Sequence, residues 1–181
     1  GKKNAERIRG IDDNEEALLW RFRMIGNAKK SIVLSTFDLR PDDSGTKIIA
    51  ALYTAAERGV QVQILIDGIY QKLFLEKSPV FQALAAHQNV EVGIYNPVTN
   101  LMRLNYRMHD KYLIIDESMY LLGGRNTNDI FLGDKKTGIN VDQDILVYEE
   151  TEGKGESLQE LEKYFDTIWN ESQVRKKKKI Y

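Results

Sequence analysis

The chain has 181 residues, 42% of them hydrophobic, enough to bury one core of ordinary domain size, so a single α/β domain is expected. Its formal charge is -1, from 26 Lys and Arg against 27 Asp and Glu, so no global positive field exists to hold a polyanion, which weighs mildly against a dedicated nuclease. With no cysteine it has no disulfide, thiolate nucleophile or Cys-based metal site, and no apolar run approaches the roughly 20 residues needed to cross a bilayer.

In chain order, Asp12, Asp13 and Asn14 offer capping groups for a helix over 15–30, with Leu18, Phe22 and Ile25 on one stripe. Residues 31–37 form a short β-rich run, and 38–45 a loop with Pro41 and Gly45. A second helix over 46–58 buries Ile48, Ile49, Leu52, Ala55 and Ala56 and stops at Gly59, where a left-handed cap suits glycine. Residues 60–66 alternate and then turn fully apolar, as a strand entering a covered sheet should, which completes a β-α-β unit. Asp67 behind that strand is read first as a turn cap and second as a cleft residue.

Ser78-Pro79 marks the start of a short helix ending near His87, and 90–95 is the next strand. A long loop over 96–107, carrying Arg103 and Arg107, leads into a hairpin of strands 108–115 and 119–122. After a polar excursion over 127–141, residues 144–148 form a strand and 156–171 a helix, with Leu158, Leu161, Phe165, Ile168 and Trp169 on one face. The expected architecture is a mixed sheet flanked by helices on both faces. Residues 1–13 read as an N-terminal extension, 14–172 as the domain and 173–181 as a basic tail.

His109 and Lys111 carry the chemistry. Strand side chains alternate faces, so both project on one side, the imidazole able to attack phosphorus and the ammonium to hold its oxygens. Asp116 has the opposite parity and reads as a structural or turn carboxylate. Lys111 in an otherwise apolar strand would be costly to bury unpaired, so a cleft that faces anions explains it best. Gly123-Gly124 after the second hairpin strand lets backbone approach a ligand closely.

His109-x-Lys111, four residues, Asp116, six residues, then Gly123-Gly124-x-Asn126 resembles the HxKxxxxDxxxxxxGGxN signature of the phospholipase D superfamily. Residues 103–109 and 122–126, with Phe165-Asp166-x-x-Trp169, resemble its bacterial cardiolipin-synthase-like branch, over about residues 14–171. The resemblance implies a phospholipase D-like α/β/α sandwich and a two-step displacement at a phosphodiester, in which a histidine attacks phosphorus to leave a phosphohistidine and a histidine from a second HxK motif protonates the leaving group. It implies no metal or other cofactor.

In that scheme His109 is the nucleophile or general acid, and Lys111, Asn126 and the backbone at Gly124 hold the non-bridging oxygens. Asp142 orients the histidine, with Asp144 as the second choice, while Asp116 and Gly123 are structural members of the motif. Many relatives carry Ser where Gly124 stands, although Gly-Gly is characteristic of the cardiolipin-synthase-like members.

Only one HxK occurs, because the other histidine, His87, has no lysine two positions on. The expectation is therefore half of an active site, completed by a second HxK domain in a longer protein or, alternatively, by a second copy in a homodimeric nuclease-like phosphodiesterase. A non-catalytic module binding anionic lipid is the reading from another class. The first option implies a phosphatidylglycerol-like phospholipid as substrate and membrane association of the full-length protein in a bacterial cell membrane, this segment being soluble. Nucleic acid is the less favoured partner. The Lys-rich end, residues 175–179, reads first as a solvated linker and second as a contact for anionic headgroups.

Overall fold

The computed structural model describes residues 6–36, 38–68, 71–95, 111–123, 144–149, 155–170 and 174–176. In chain order the described elements are β1 (Glu6–Ile11), α1 (Asn14–Asn27), β2 (Ser31–Thr36), α2 (Asp43–Glu57), β3 (Gln61–Asp67), a π-helical turn (Gln71–Leu75), α3 (Pro79–Ala86), β4 (Val90–Tyr95), β5 (Lys111–Ile115), β6 (Met119–Gly123), β7 (Asp144–Glu149), α4 (Glu156–Trp169) and β8 (Val174–Lys176). The eight described strands lie in the order β1-β7-β6-β5-β2-β3-β4-β8. β2, β3 and β4 run parallel through helical crossovers, and the remaining pairings are antiparallel, so the sheet is mixed as expected.

Caps written in the sequence start the helices. Asp13 accepts from the Glu15 amide at 3.0 Å, Asp42 from the Gly45 amide at 2.9 Å and Ser78 from the Phe81 amide at 3.3 Å. Gly59, at φ 95°, supplies the left-handed residue after α2.

Alternation sorts the strand residues onto two faces. Ile32, Leu34, Val62, Ile64, Val90, Val92, Leu113 and Leu121 pack with buried residues of α1, α2 and α3 on one face. Tyr112, Ile114, Tyr120 and Val147 meet Leu158, Phe165, Ile168 and Trp169 of α4 on the other. Phe165 stands edge-on to Tyr112 at 6.4 Å and beside Trp169 at 5.4 Å, and burying such an aromatic contributes roughly 1.5–3 kcal/mol. Helices on both faces make this an α/β/α sandwich, as expected.

The structure differs from the sequence-based expectation at both ends. Within the expected extension, β1 pairs with β7 from Glu6↔Glu149 to Ile11↔Asp144, and within the expected tail β8 pairs with β4. β1 escapes pattern recognition because of its apolar residues Ile11 is buried while Ile8 is 71% exposed. β8 has three residues, too few to show a period. Among the described residues no helix is long and apolar enough to cross a membrane.

Gly45 fixes the loop between β2 and α2. A Cβ there would lie 1.7 Å from the Arg40 carbonyl oxygen, a backbone atom that cannot swing aside. Gly45→Ala is expected to cost about 1–3 kcal/mol, as overpacking does, read as a lower urea midpoint at unchanged slope.

Candidate active-site edge

Of the candidate residues that the structure describes, Lys111, Gly123 and Asp144 gather at one edge of the sheet, where β2, β3 and β4 end and β5 and β7 begin. Lys111 is the first residue of β5 and pairs with Gly123, the last residue of β6, which in turn pairs with Asp144, the first residue of β7. The three thus form one row. By alternation Lys111 shares the face of Leu113, and Asp144 that of Leu146, both of which pack on the α1 side of the sheet. Gly123, between them, adds no side chain. Strand spacing sets the Cα atoms of Lys111 and Asp144 roughly 10 Å apart.

Beside this row lies a recess lined by Arg21, Leu34, Thr36, Lys111, Leu113 and Leu121. Arg21 rises into it from α1, where its Nη1 donates to the Asp144 carboxylate at 2.8 Å and to the Ala17 carbonyl at 3.0 Å. The Arg21 side chain is 9% exposed and that of Asp144 fully buried, whereas Lys111 is half-buried. The apolar stripe expected from Leu18, Phe22 and Ile25 therefore sits partly off the buried line, which runs through Ala17, Arg21, Met24 and Ile25. A charge at i+4 from Ala17 and i−4 from Ile25 was the available signal for Arg21.

Along the same edge, the loop after β2 folds back on itself. Asp38, buried, receives Arg40 Nε at 2.8 Å and Nη2 at 2.8 Å, a forked pair that gives fixed geometry, and the Arg40 guanidinium lies 4.4 Å from the Phe74 ring centroid. Asp67, at the end of β3, is fully buried. His109, Gly124, Asn126 and Asp142 lie outside the described residues, as do Arg103 and Arg107.

Asp116 sits at the opposite end of β5. Its φ of 52° and that of Glu117, 54°, are the two positive values of a type I′ turn, and the Ser118 amide closes the turn onto the Ile115 carbonyl at 3.0 Å. The Asp116 carboxylate accepts from the amides of Lys29, Lys30 and Ser31 at 2.7–3.1 Å, tying the hairpin to the start of β2. Burial alone would raise its pKa. The amides of Ser31, Lys30 and Lys29 and the Lys30 charge outweigh that and hold it below its ordinary value of 3.8.

A depressed folded-state pKa makes this contribution full above the unfolded value and lost as pH falls through the folded one. Asp116→Asn, which tolerates the left-handed backbone, is expected to lower stability at neutral pH, with the difference from the native chain shrinking below about pH 3.8 in denaturant titrations. His87, the other histidine, caps α3 just before β4, at the opposite end of the sheet from Lys111, with Nε2 2.8 Å from Glu57 and Nδ1 accepting from the Asn89 amide at 3.0 Å.

The chain is similar to known proteins in sequence and in fold. The family described as cardiolipin synthase, PLD-like domain, matches residues 22–169. Cardiolipin synthase C of Escherichia coli K12 is 28% identical over 151 residues, 75% of this chain and 30% of its own length. The chain thus spans about a third of the curated relatives it matches. Two solved structures share the fold at 18% identity each: Nuc of Salmonella typhimurium, a phospholipase D family member, at TM-score 0.66 over 96% of this chain and 99% of that one, and phosphatidylserine synthase of Haemophilus influenzae, at 0.68 over 92% and 38%. On the family match, over residues 22–169, and the signature that opens at the Lys111 edge, the chain belongs to the phospholipase D superfamily, in the PLD-like domain family of cardiolipin synthase.

Proposed function

We propose that this chain is one catalytic half of a phosphodiester-cleaving, cardiolipin-synthase-like phosphatidyltransferase or phospholipase that works through a phosphohistidine on His109. The observation that carries this reading is the position of Lys111: a half-buried cation opening β5 at the ligand-binding edge of an α/β sheet, two residues after His109 and in one row with Gly123.

In the first step an imidazole nitrogen of His109 attacks phosphorus, a P–N bond forms, and the bond to the leaving alcohol oxygen breaks as a histidine from a second HxK unit protonates it. Water or an acceptor alcohol then attacks the phosphohistidine, giving its proton to that second histidine and returning His109 as the leaving group. Lys111, Asn126 and the backbone at Gly124 hold the non-bridging oxygens, on which charge builds in both transition states.

Asp144 is already engaged by Arg21 at 2.8 Å, which supports Asp142 as the carboxylate that orients His109. The spacing in the sequence supports the pairing as well. Asp142 precedes Asp144 by the same two residues by which His109 precedes Lys111, and Lys111 and Asp144 share a row.

The substrate we assign is a phosphatidylglycerol-like lipid at a membrane surface, with the second HxK unit in the same longer protein. A homodimeric phosphodiesterase is the second reading, favoured by one observation: the chain matches 99% of the length of Nuc. Turnover of a chromogenic phosphodiester, measured together with sedimentation of the chain alone and of the full-length protein, separates the two. An inert monomer beside an active longer protein supports the first, an active dimer supports the second, and phosphate binding without turnover in either form overturns both in favour of a lipid-binding module.

A further inference from the structure

The recess beside Lys111 holds a buried charge that the phosphohistidine scheme does not use. Arg21 reaches across from α1 to a residue 123 positions away in the chain and binds it at 2.8 Å, at a place where Lys111 and Asp144 flank the side-chain-free Gly123 on one face. Arg21 and Lys111 line the same recess. With Arg21 present the three side chains leave one net positive charge. Without it the Asp144 carboxylate stands as an opposing charge to the Lys111 ammonium across Gly123, and partly buried charges roughly 10 Å apart still act on one another.

We propose that Arg21 is a positioning residue for anion binding: by holding the Asp144 carboxylate it keeps that charge from cancelling Lys111 across Gly123, and so gives the Lys111 edge its affinity for a phosphate group. This rests on the reading that Lys111 faces the substrate phosphate, and it adds a residue that the HxK signature does not contain. A merely structural ion pair, one that only fastens α1 to β7, would join the same atoms. The two roles differ in what happens when both charges are removed.

The test uses the full chain with inorganic phosphate as the probe, and follows the Lys111 ammonium by NMR, its resonance assigned by loss in Lys111→Met. Arg21→Met is expected to weaken phosphate binding about tenfold and to raise the Lys111 pKa, while Arg21→Lys stays near the native chain. The double variant Arg21→Met/Asp144→Asn is expected to recover both quantities. Asp144→Asn alone, which leaves Arg21 uncompensated, should bind phosphate at least as tightly as the native chain and lower the Lys111 pKa, and it decides the matter if Arg21→Met does not fold. A folded double variant that binds as weakly as Arg21→Met, or a Lys111 pKa unmoved by any of these changes, overturns the proposal. If the native chain binds no phosphate, the proposed function fails at that point, while the Lys111 titration still tests the role of Arg21.

Discussion

Replacing His109 with alanine is expected to lower phosphodiester turnover by about 10³-fold or more in whichever assembly is active, the scale of loss when a covalent nucleophile is removed. The fold should survive, because Leu113, Ile115 and Leu121 build the core around the hairpin. Unfolding of the variant should therefore stay close to that of the native chain. Lys111→Ala should also fall sharply in turnover, with a larger share of the loss in KM, because a cation on a non-bridging oxygen binds the ground state as well as the transition state. A variant that loses activity only by unfolding would remove His109 from the chemistry.

Breaking the Arg21–Asp144 pair carries the largest expected cost in stability. Asp144→Ala leaves the Arg21 guanidinium, 9% exposed, without its carboxylate, and stranding one partner of a buried pair costs about 3–5 kcal/mol. Replacing both by apolar residues of similar volume should recover most of that, since the pair itself carries a desolvation cost comparable to its attraction. A denaturant titration of the two single variants and the double reads this directly, and a double variant as unstable as Asp144→Ala would mean that the position is held by packing.

How much of this was legible in the sequence depended on whether the signal was local. The caps at Asp13 and Ser78 and the left-handed Gly59 were readable because each acts within a turn of its own position, whereas α2 starts at Asp43, three residues before the expected 46, on a cap at Asp42 that the polar loop concealed. The two covered faces of the sheet were readable because the strands turn from alternating to continuously apolar where both sides are buried, as Ile64, Leu65 and Ile66 do in β3. β1 and β8 were not, because an edge strand has one hydrogen-bonding neighbour and little to bury, so Ile8 can stay in solvent while the ladder to β7 and the single buried Ile11 anchor Glu6–Ile11.

At the site, parity identified the face of Lys111 and separated Asp116 from it, and the structure shows what that carboxylate does instead, clamping the amides of residues 29–31. Arg21 escaped because a charge on a buried helix stripe is explained only by a partner, and its partner lies 123 residues away. The forked Asp38–Arg40 pair and its contact with Phe74 escaped for the same reason: the ring comes from the turn after β3, which closes on the loop after β2 only in the folded chain.

The most direct test of the account is to stop turnover of a phosphodiester rapidly, without acid, and to locate any covalent phosphorus by mass spectrometry in the assembly that is active. The account predicts an acid-labile adduct on the peptide that carries His109, absent in His109→Ala. An active enzyme that never carries phosphorus on a histidine, or a His109→Ala variant that keeps its turnover, would contradict it.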